Sequence, residues 1–233
     1  MRILAGTSGF GYGEWKGSFY PPRLRNREML GFYAERLPAV ELNSTFYRLP
    51  TQEVLHGWSE QVPAAFRFTA KAPRRLTHLQ RLAGPPEDVV FALRALSGLG
   101  ERLACVLFQL PPRFPKDLRR LSRFLQLLPA GTRAAFEFRD PSWLGDDVAE
   151  LLAAGGFPLC ALETDELPAR LHPTPPWGYV KLRRSSYREG ELEAWLDRIR
   201  GQPWEEVYVF FKHEEEAKGP KLAARFLELA ARP

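Results

Sequence analysis

Hydrophobic and polar positions follow two alternating periods along the chain. Short apolar runs predict eight buried strands, at 3–6, 39–43, 66–71, 103–109, 133–138, 159–163, 177–183 and 206–212, and six of these runs lead into ionisable or amide residues. Between most of them lie amphipathic stretches that predict helices, at 26–37, 51–62, 86–99, 116–128, 146–154, 189–199 and 220–231. The segment 168–176 is too irregular for a full helix.

Eight strands, nearly all followed by a helix, predict an α/β fold: a compact (β/α)8 barrel of the TIM type, as a single domain over 1–233. The alternative is an open, doubly wound sheet, which carries a glycine-rich nucleotide loop after a strand. Neither GxGxxG nor GxxxxGK[ST] follows any predicted strand. The barrel is therefore the favoured interpretation.

Polar residues at the ends of these strands share one face. Side chains alternate along a strand, so Glu137 and Arg139 point the same way, and so do Lys181 and Arg183. Barrel enzymes carry their catalytic residues on such strand ends. A satisfied polar layer inside the barrel is the alternative, but burying several charges together is costly unless function requires them.

Five of these residues are predicted to be catalytic. Glu41 and Glu137 could divide acid and base roles if their surroundings separate their pKa values. Lys71 and Lys181 could anchor an anion, and a desolvated lysine could instead act as an amine nucleophile or base. Arg139 could clamp a carboxylate or phosphate, or pair with Glu41 or with Asp165.

The predicted substrate-binding residues are further strand-end polar groups and residues of the loops that follow the strands. They are Ser8, Trp15, Asn43, Tyr47, His78, Gln109, Trp143, Asp165, Arg183 and Lys212. For the aromatic ones, a hydrophobic lid over the barrel mouth is an equal alternative. The segments 183–186 and 212–213 follow the last two strands, where barrels often bind phosphate.

The histidines give little support to a metal site. There are four of them, and no HxH or HExxH pair occurs. No cofactor is predicted, although a single divalent metal is not excluded; for His78 a hydrogen-bonding role is favoured over ligation. Ser8, His78 and Asp165 are the residue types of a catalytic triad, but their spacing does not support one.

Composition indicates the cellular compartment and the chemical class of the partners. The net charge is +5, and 33 Lys and Arg residues, of which 26 are Arg, favour a small anionic substrate or nucleic acid. Cys105 and Cys160 lie in apolar runs without a CxxC motif, which predicts buried thiols in a reducing, cytoplasmic compartment. No apolar stretch approaches the roughly 20 residues of a membrane span, so no membrane partner is expected.

Several motifs resemble those of the YecE-like family, a domain of unknown function. They are GTSGF at 6–10, VELNSTFYRLP at 40–50, FRF at 66–68, QLPP at 109–112 and FEFR at 136–139. The resemblance spans the whole chain and implies a TIM barrel, but it implies no reaction. We expect a hydrolase, lyase or isomerase that acts on a small anionic, phosphorylated or sugar-like substrate. A nucleic-acid-binding or nucleic-acid-processing protein and a non-catalytic binding module are the alternatives.

Overall fold

A computed structural model describes residues 1–172, 175–212 and 215–232. These residues form one eight-stranded sheet of parallel strands in the order β5-β4-β3-β2-β1-β8-β7-β6. The strands are β1 (Arg2–Ser8), β2 (Ala39–Leu42), β3 (Arg67–Lys71), β4 (Leu103–Gln109), β5 (Ala134–Glu137), β6 (Ala161–Glu163), β7 (Trp177–Leu182) and β8 (Glu206–Phe211).

The sheet closes into a barrel between β5 and β6. Phe136 forms a parallel bridge with Leu159, just ahead of β6. The Cys160 backbone N–H donates to the Phe136 carbonyl at 2.7 Å, and the Phe136 N–H donates to the Pro158 carbonyl at 3.1 Å. Closure satisfies the backbone groups that an open edge would expose. The predicted (β/α)8 barrel is confirmed.

Helices follow the strands along most of the chain. They are α1 (Met29–Ala34), α2 (Ser44–Tyr47), α3 (Gln52–Glu60), α4 (Pro86–Leu96), α5 (Leu118–Leu127), α6 (Asp146–Ala154), α7 (Glu189–Arg200) and α8 (Lys218–Ala230). The side chain of Thr51 caps α3 and that of Asp117 caps α5, because each accepts from a backbone N–H of the first turn. Between β6 and β7, residues 168–172 and 175–176 are not helical, as expected, and 173–174 lie outside the described residues.

Among the short helical segments that were not predicted, two lie near the site. The four-residue α2 follows β2 directly, and a single π-helical turn, Arg75–Leu79, follows β3. Both are too short to show a helical period in sequence. Both matter for the site, because α2 carries Phe46 and the π-helical turn carries His78.

The alternation along the strands separates two buried layers. Leu4, Cys105, Ala135, Tyr179 and Phe210 belong to an inner cluster within the barrel. The outward faces of the same strands pack with the helices in two further clusters, which contain Phe68 of β3 and Phe136 of β5. The buried charged side chains of Glu41, Glu137 and Lys181 all lie at the carboxyl ends of their strands, so the fold gathers these charges at one end.

One close approach fixes β1 beside β2. A Cβ on Gly6 would lie 1.8 Å from the Ala39 carbonyl oxygen, so only glycine fits there. The hydroxyl of Tyr33, on α1, donates to that carbonyl at 2.9 Å and accepts from the Thr7 N–H at 2.8 Å. Tyr33 thereby ties α1 to both strands in the buried interior.

Candidate active site

Two carboxylates and one lysine are buried together at the carboxyl ends of β2, β5 and β7. Lys181 Nζ lies 2.9 Å from Glu41 Oε1 and 3.0 Å from Glu137 Oε2. Both carboxylates are fully buried, and Lys181 is 1 % exposed. The contact with Glu137 is an ion pair whose angles fall outside those of a directed hydrogen bond, so Glu137 Oε2 keeps unused acceptor capacity.

Arg139 covers the other side of Glu137. Its Nε donates to Glu137 Oε1 at 3.0 Å, and one terminal nitrogen donates to Gln109 Oε1 at 3.2 Å. About a third of the Arg139 side chain is exposed (34 %), which leaves donors facing solvent. The carboxylate that Arg139 contacts is that of Glu137, and not that of Glu41 or Asp165, the two partners that the sequence left open.

Glu41 is held by hydroxyl groups as well as by Lys181. Ser8 Oγ donates to Glu41 Oε1 at 2.9 Å, and the Tyr179 hydroxyl donates to Oε2 at 2.7 Å. Thr69 Oγ1 lies 2.9 Å from the same tyrosine hydroxyl. Tyr179 and Thr69 were not predicted as site residues, although each lies two positions before a strand-end lysine and therefore shares its face.

These contacts keep both carboxylates ionised. Burial alone would raise the pKa of Glu41, but the charge of Lys181 and the hydrogen bonds from Tyr179 and Lys181 together outweigh it, and the pKa lies below its usual value. For Glu137 burial is likewise opposed, by Lys181 and Arg139, and the pKa falls to about 2. Burial would lower the pKa of Lys181, yet Glu137 and Glu41 raise it above its usual value. Both glutamate pKa values are lowered, so the condition for dividing acid and base roles between Glu41 and Glu137 is not met.

Lys71 lies at the end of β3 and differs from the other site cations. Its Nζ is 4.3 Å from the centre of the Phe46 ring, and among the described residues it makes no hydrogen bond or ion pair. Its backbone carbonyl accepts from Thr45 Oγ1 at 2.7 Å, which fixes the start of the side chain. Burial lowers the pKa of Lys71 to about 8, despite the opposing charge of Glu137.

His78 also contacts the Phe46 ring. The two rings meet edge to face with their centres 4.8 Å apart, and His78 Nδ1 is 2.9 Å from Thr77 Oγ1. Burial and then the charge of Lys71 lower the pKa of His78 to about 4, so the imidazole is neutral at pH 7. This arrangement agrees with a hydrogen-bonding role.

The structure places other predicted residues away from this group. Trp15 packs among the aromatic rings of the loop after β1, and Trp143 stacks on Phe138 with ring centres 4.3 Å apart; each is 1 % exposed. Tyr47 is 82 % exposed, and it is Phe46 that faces Lys71. Asp165 accepts hydrogen bonds from Ser185 on the loop after β7.

Three predicted residues stand at strand ends with side chains that are half-buried. Asn43 precedes α2, Arg183 follows β7, and Lys212 follows β8. Arg183 comes two residues after Lys181 and therefore shares its inward face. The predicted phosphate corner at 212–213 reaches beyond the described residues at His213.

Ser8, His78 and Asp165 do not form a triad, because Ser8 bonds to Glu41, His78 to Thr77 and Asp165 to Ser185. Within the described residues, no group of three or more His, Cys, Asp or Glu side chains is placed to hold a metal ion.

Cys105 and Cys160 are free and buried, as predicted, and burial raises the pKa of each thiol. In the part of the chain that the structure describes, no helix has the length and apolar character to span a bilayer.

A model of the family described as a protein of unknown function, DUF72, matches residues 4–233. The chain belongs to the DUF72 family. The DUF72 chain is similar to the UPF0759 protein YunF of Bacillus subtilis, with 25 % identity over 97 % of this chain and 94 % of YunF. It is 36 % identical to the UPF0759 protein YecE of Escherichia coli K12 over 48 % of this chain and 41 % of YecE. The resemblance to the YecE-like family is confirmed.

Solved structures agree with the fold of this DUF72 chain. A DUF72 family protein of Thermotoga maritima superimposes with a TM-score of 0.86 at 26 % identity, over the full length of both chains. A DUF72 family protein of Enterococcus faecalis superimposes with a TM-score of 0.80 at 19 % identity, over 99 % of this chain and 96 % of the E. faecalis chain. At that identity the similarity supports the fold alone. None of these names carries a reaction.

Proposed function

We propose that the protein is an enzyme that binds a small anionic substrate, phosphorylated or sugar-like, at the carboxyl end of the barrel. The observation that carries the proposal is the charge of the buried cluster. Glu41 and Glu137 are balanced by Lys181 and Arg139, so the four charges sum to zero. Lys71 and Arg183 then add positive charge that no carboxylate contacts among the described residues.

Recognition of the anion is assigned to arginines. Arg139 keeps solvent-facing donors while Glu137 and Gln109 fix its plane. Arg183 lies at the same end of the barrel on the face of Lys181. A guanidinium held in place can bind a carboxylate or phosphate through two parallel hydrogen bonds. Lys181 is assigned a different task, since it is fully enclosed between the two glutamates and neutralises them.

Proton transfer is assigned chiefly to Lys71. A general acid or base works best when its pKa lies near the working pH, and Lys71 meets that condition with a pKa of about 8. Glu41 and Glu137 are ionised at neutral pH because their pKa values are lowered, which suits them to act as fixed negative charges. The neutral His78 beside Phe46 can hydrogen-bond a substrate oxygen.

Ligand-induced stabilisation tests the proposal. We expect inorganic phosphate and small sugar phosphates to raise the melting temperature of the wild type beyond the effect of sodium chloride at equal ionic strength. The response should be lost in Arg183→Gln and kept in Arg94→Gln, which removes the same charge from the exposed face of α4. An equal response in both variants would contradict the proposal. Salt-sensitive binding of single-stranded DNA or RNA without any response to small anions would favour the nucleic-acid alternative.

A further inference from the structure

The surroundings of Lys71 suit an amine that reacts rather than one that only attracts charge. The backbone at Lys71 is fixed by the β3–β4 ladder and by the hydrogen bond from Thr45 to its carbonyl. Its Nζ rests over the Phe46 ring and lacks the carboxylate partners that enclose Lys181. The two lysines share one barrel end, but only Lys71 has an amine left without a hydrogen bond among the described residues.

The charges that face Lys71 come from several elements and act in opposite directions. Glu137 on β5 and Glu41 on β2 favour the protonated amine, whereas Lys181 on β7, Arg139 after β5 and burial disfavour it. His78 on the π-helical turn is neutral at pH 7 and does not compete for the proton. The result is a pKa of about 8, so a substantial fraction of the amine is neutral near neutral pH.

We propose that Lys71 is a nucleophile that forms an imine with an aldehyde or ketone group of the anionic substrate. This inference rests on the proposed function, because the arginines of the same barrel end hold the anionic group. The lone pair of the neutral amine attacks the carbonyl carbon, and the C=O π pair moves to oxygen. The new C–N bond becomes C=N when the oxygen leaves as water, which carries away the two amine protons. Lysine imines of this kind are a general route of covalent catalysis.

Reductive trapping tests the imine. The full-length protein is incubated with pyruvate or with dihydroxyacetone phosphate in the presence of cyanoborohydride, and the modified lysines are mapped by mass spectrometry. We expect Lys71 to be modified roughly tenfold or more faster than Lys116 at neutral pH, because burial lowers the pKa of Lys71 to about 8 and its amine has no carboxylate partner among the described residues. Lys116 is the internal control, since its Nζ is paired with Asp147 outside the barrel.

The matched variants are Lys71→Arg, which keeps the charge without the nucleophile, and Lys116→Arg. The fast adduct should disappear in the first and persist in the second. Modification spread evenly over the lysines, or a fast adduct that survives Lys71→Arg, would overturn the imine. If Lys71→Arg does not fold, the pH dependence of the modification rate at Lys71 in the wild type decides. This rate should level off above about pH 8. A rate that keeps rising above that pH would overturn the proposal.

The phosphate-dependent melting shift, measured on the same protein, separates the two proposals. A protein that is stabilised by phosphate but gives no adduct at Lys71 has an anion site without imine chemistry. A protein that shows neither response overturns both.

Discussion

Lys181 is the residue on which the buried charges depend. It is the cation that contacts both Glu41 and Glu137, and all three side chains are almost completely buried. Removing one partner of a buried ion pair leaves an uncompensated charge in a medium of low dielectric constant. We therefore expect Lys181→Met to lower the free energy of unfolding by about 3–5 kcal/mol, as measured by urea denaturation at pH 7.

The matched control for Lys181 is Lys116→Met, which removes a lysine whose partner Asp147 is exposed and should change stability little. A second control is the double variant Glu41→Gln with Lys181→Met. The loss in the free energy of unfolding should be smaller in this double variant than the sum of the losses in the two single variants. The reason is that the neutral amide at position 41 needs no cation beside it. Equal losses in Lys181→Met and Lys116→Met would show that the buried cluster is not held by charge.

Lys71 should have the opposite effect on stability. Its folded pKa of about 8 lies below the ordinary value of 10.5, so the unfolded chain binds the proton more tightly. The free-energy cost of burying the protonated amine is present in full below about pH 8 and disappears as the pH rises towards 10.5. Lys71→Met should therefore stabilise the protein at pH 7 by ~1–2 kcal/mol, after allowance for partial exposure, and the gain should vanish at pH 10.5.

Stability curves of the wild type and of Lys71→Met across pH 6–10.5 check this expectation. A loss of stability in Lys71→Met at pH 7 would mean that the contact with Phe46 outweighs the cost of burying the charge. That result would also weaken the case for a reactive amine, since a lysine that stabilises the fold is well satisfied where it stands.

At the residue scale, the sequence predicted which side chains meet but not how they pair. The alternation of side chains along the strands predicted that one end of the barrel holds four charged residues, Glu41, Glu137, Arg139 and Lys181. The structure places them there. Which carboxylate each cation contacts depends on stagger between strands, and a single sequence does not contain that information. For the same reason the sequence could not distinguish the enclosed Lys181 from the unpaired Lys71.

At the scale of elements, the junction of α1, β1 and β2 depends on one glycine and one hydroxyl. In Gly6→Ala the added Cβ would meet the Ala39 carbonyl at 1.8 Å, a backbone atom that moves only if the strands separate. We expect a loss of more than about 3 kcal/mol in the free energy of unfolding. Tyr33→Phe leaves the Ala39 carbonyl and the Thr7 N–H without their partner and should cost about 1–3 kcal/mol.

Gly57→Ala is the matched glycine control. Gly57 lies within α3, and no atom of the neighbouring structure lies within 4 Å of a Cβ built there. Alanine is the better helix former, so this variant should be stabilised by up to about 1 kcal/mol. If Gly6→Ala were as stable as Gly57→Ala, the contact between β1 and β2 would have to be looser than the structure shows.

Elements with a long, regular pattern were predicted well, and short ones were not. The predictions for β4 at 103–109 and for α6 at 146–154 agree with the structure at both ends. The predicted helix at 26–37 is instead a 3-10 turn followed by the six residues of α1. Without α2 in the prediction, Tyr47 was preferred to Phe46 as a pocket residue, because only the helical turn reveals which of two adjacent rings faces inward.

At the scale of the whole molecule, the barrel has two charged ends with different tasks. The number of predicted strands was enough to predict the barrel. Its closure was not predictable, because it uses an isolated bridge between Phe136 and Leu159, ahead of β6, that no sequence pattern marks. At the amino end, Glu206 accepts from Tyr208 at 2.7 Å, from Arg133 at 3.0 Å and from Arg2 at 3.4 Å. In barrels of this type the amino end serves stability and the carboxyl end serves chemistry.

This division predicts that stability and anion binding can be changed separately. Glu206→Gln removes the charge shared by two arginines and should lower the free energy of unfolding by about 1–3 kcal/mol, while the melting shift caused by phosphate stays as large as in the wild type. Arg183→Gln should show the reverse, with unfolding in urea nearly unchanged and the phosphate response lost. Both quantities are measured on both variants. If Arg183→Gln kept the phosphate response and Glu206→Gln changed it, the anion would bind at the amino end, among Arg2 and Arg133, and the functional site would have to be sought there.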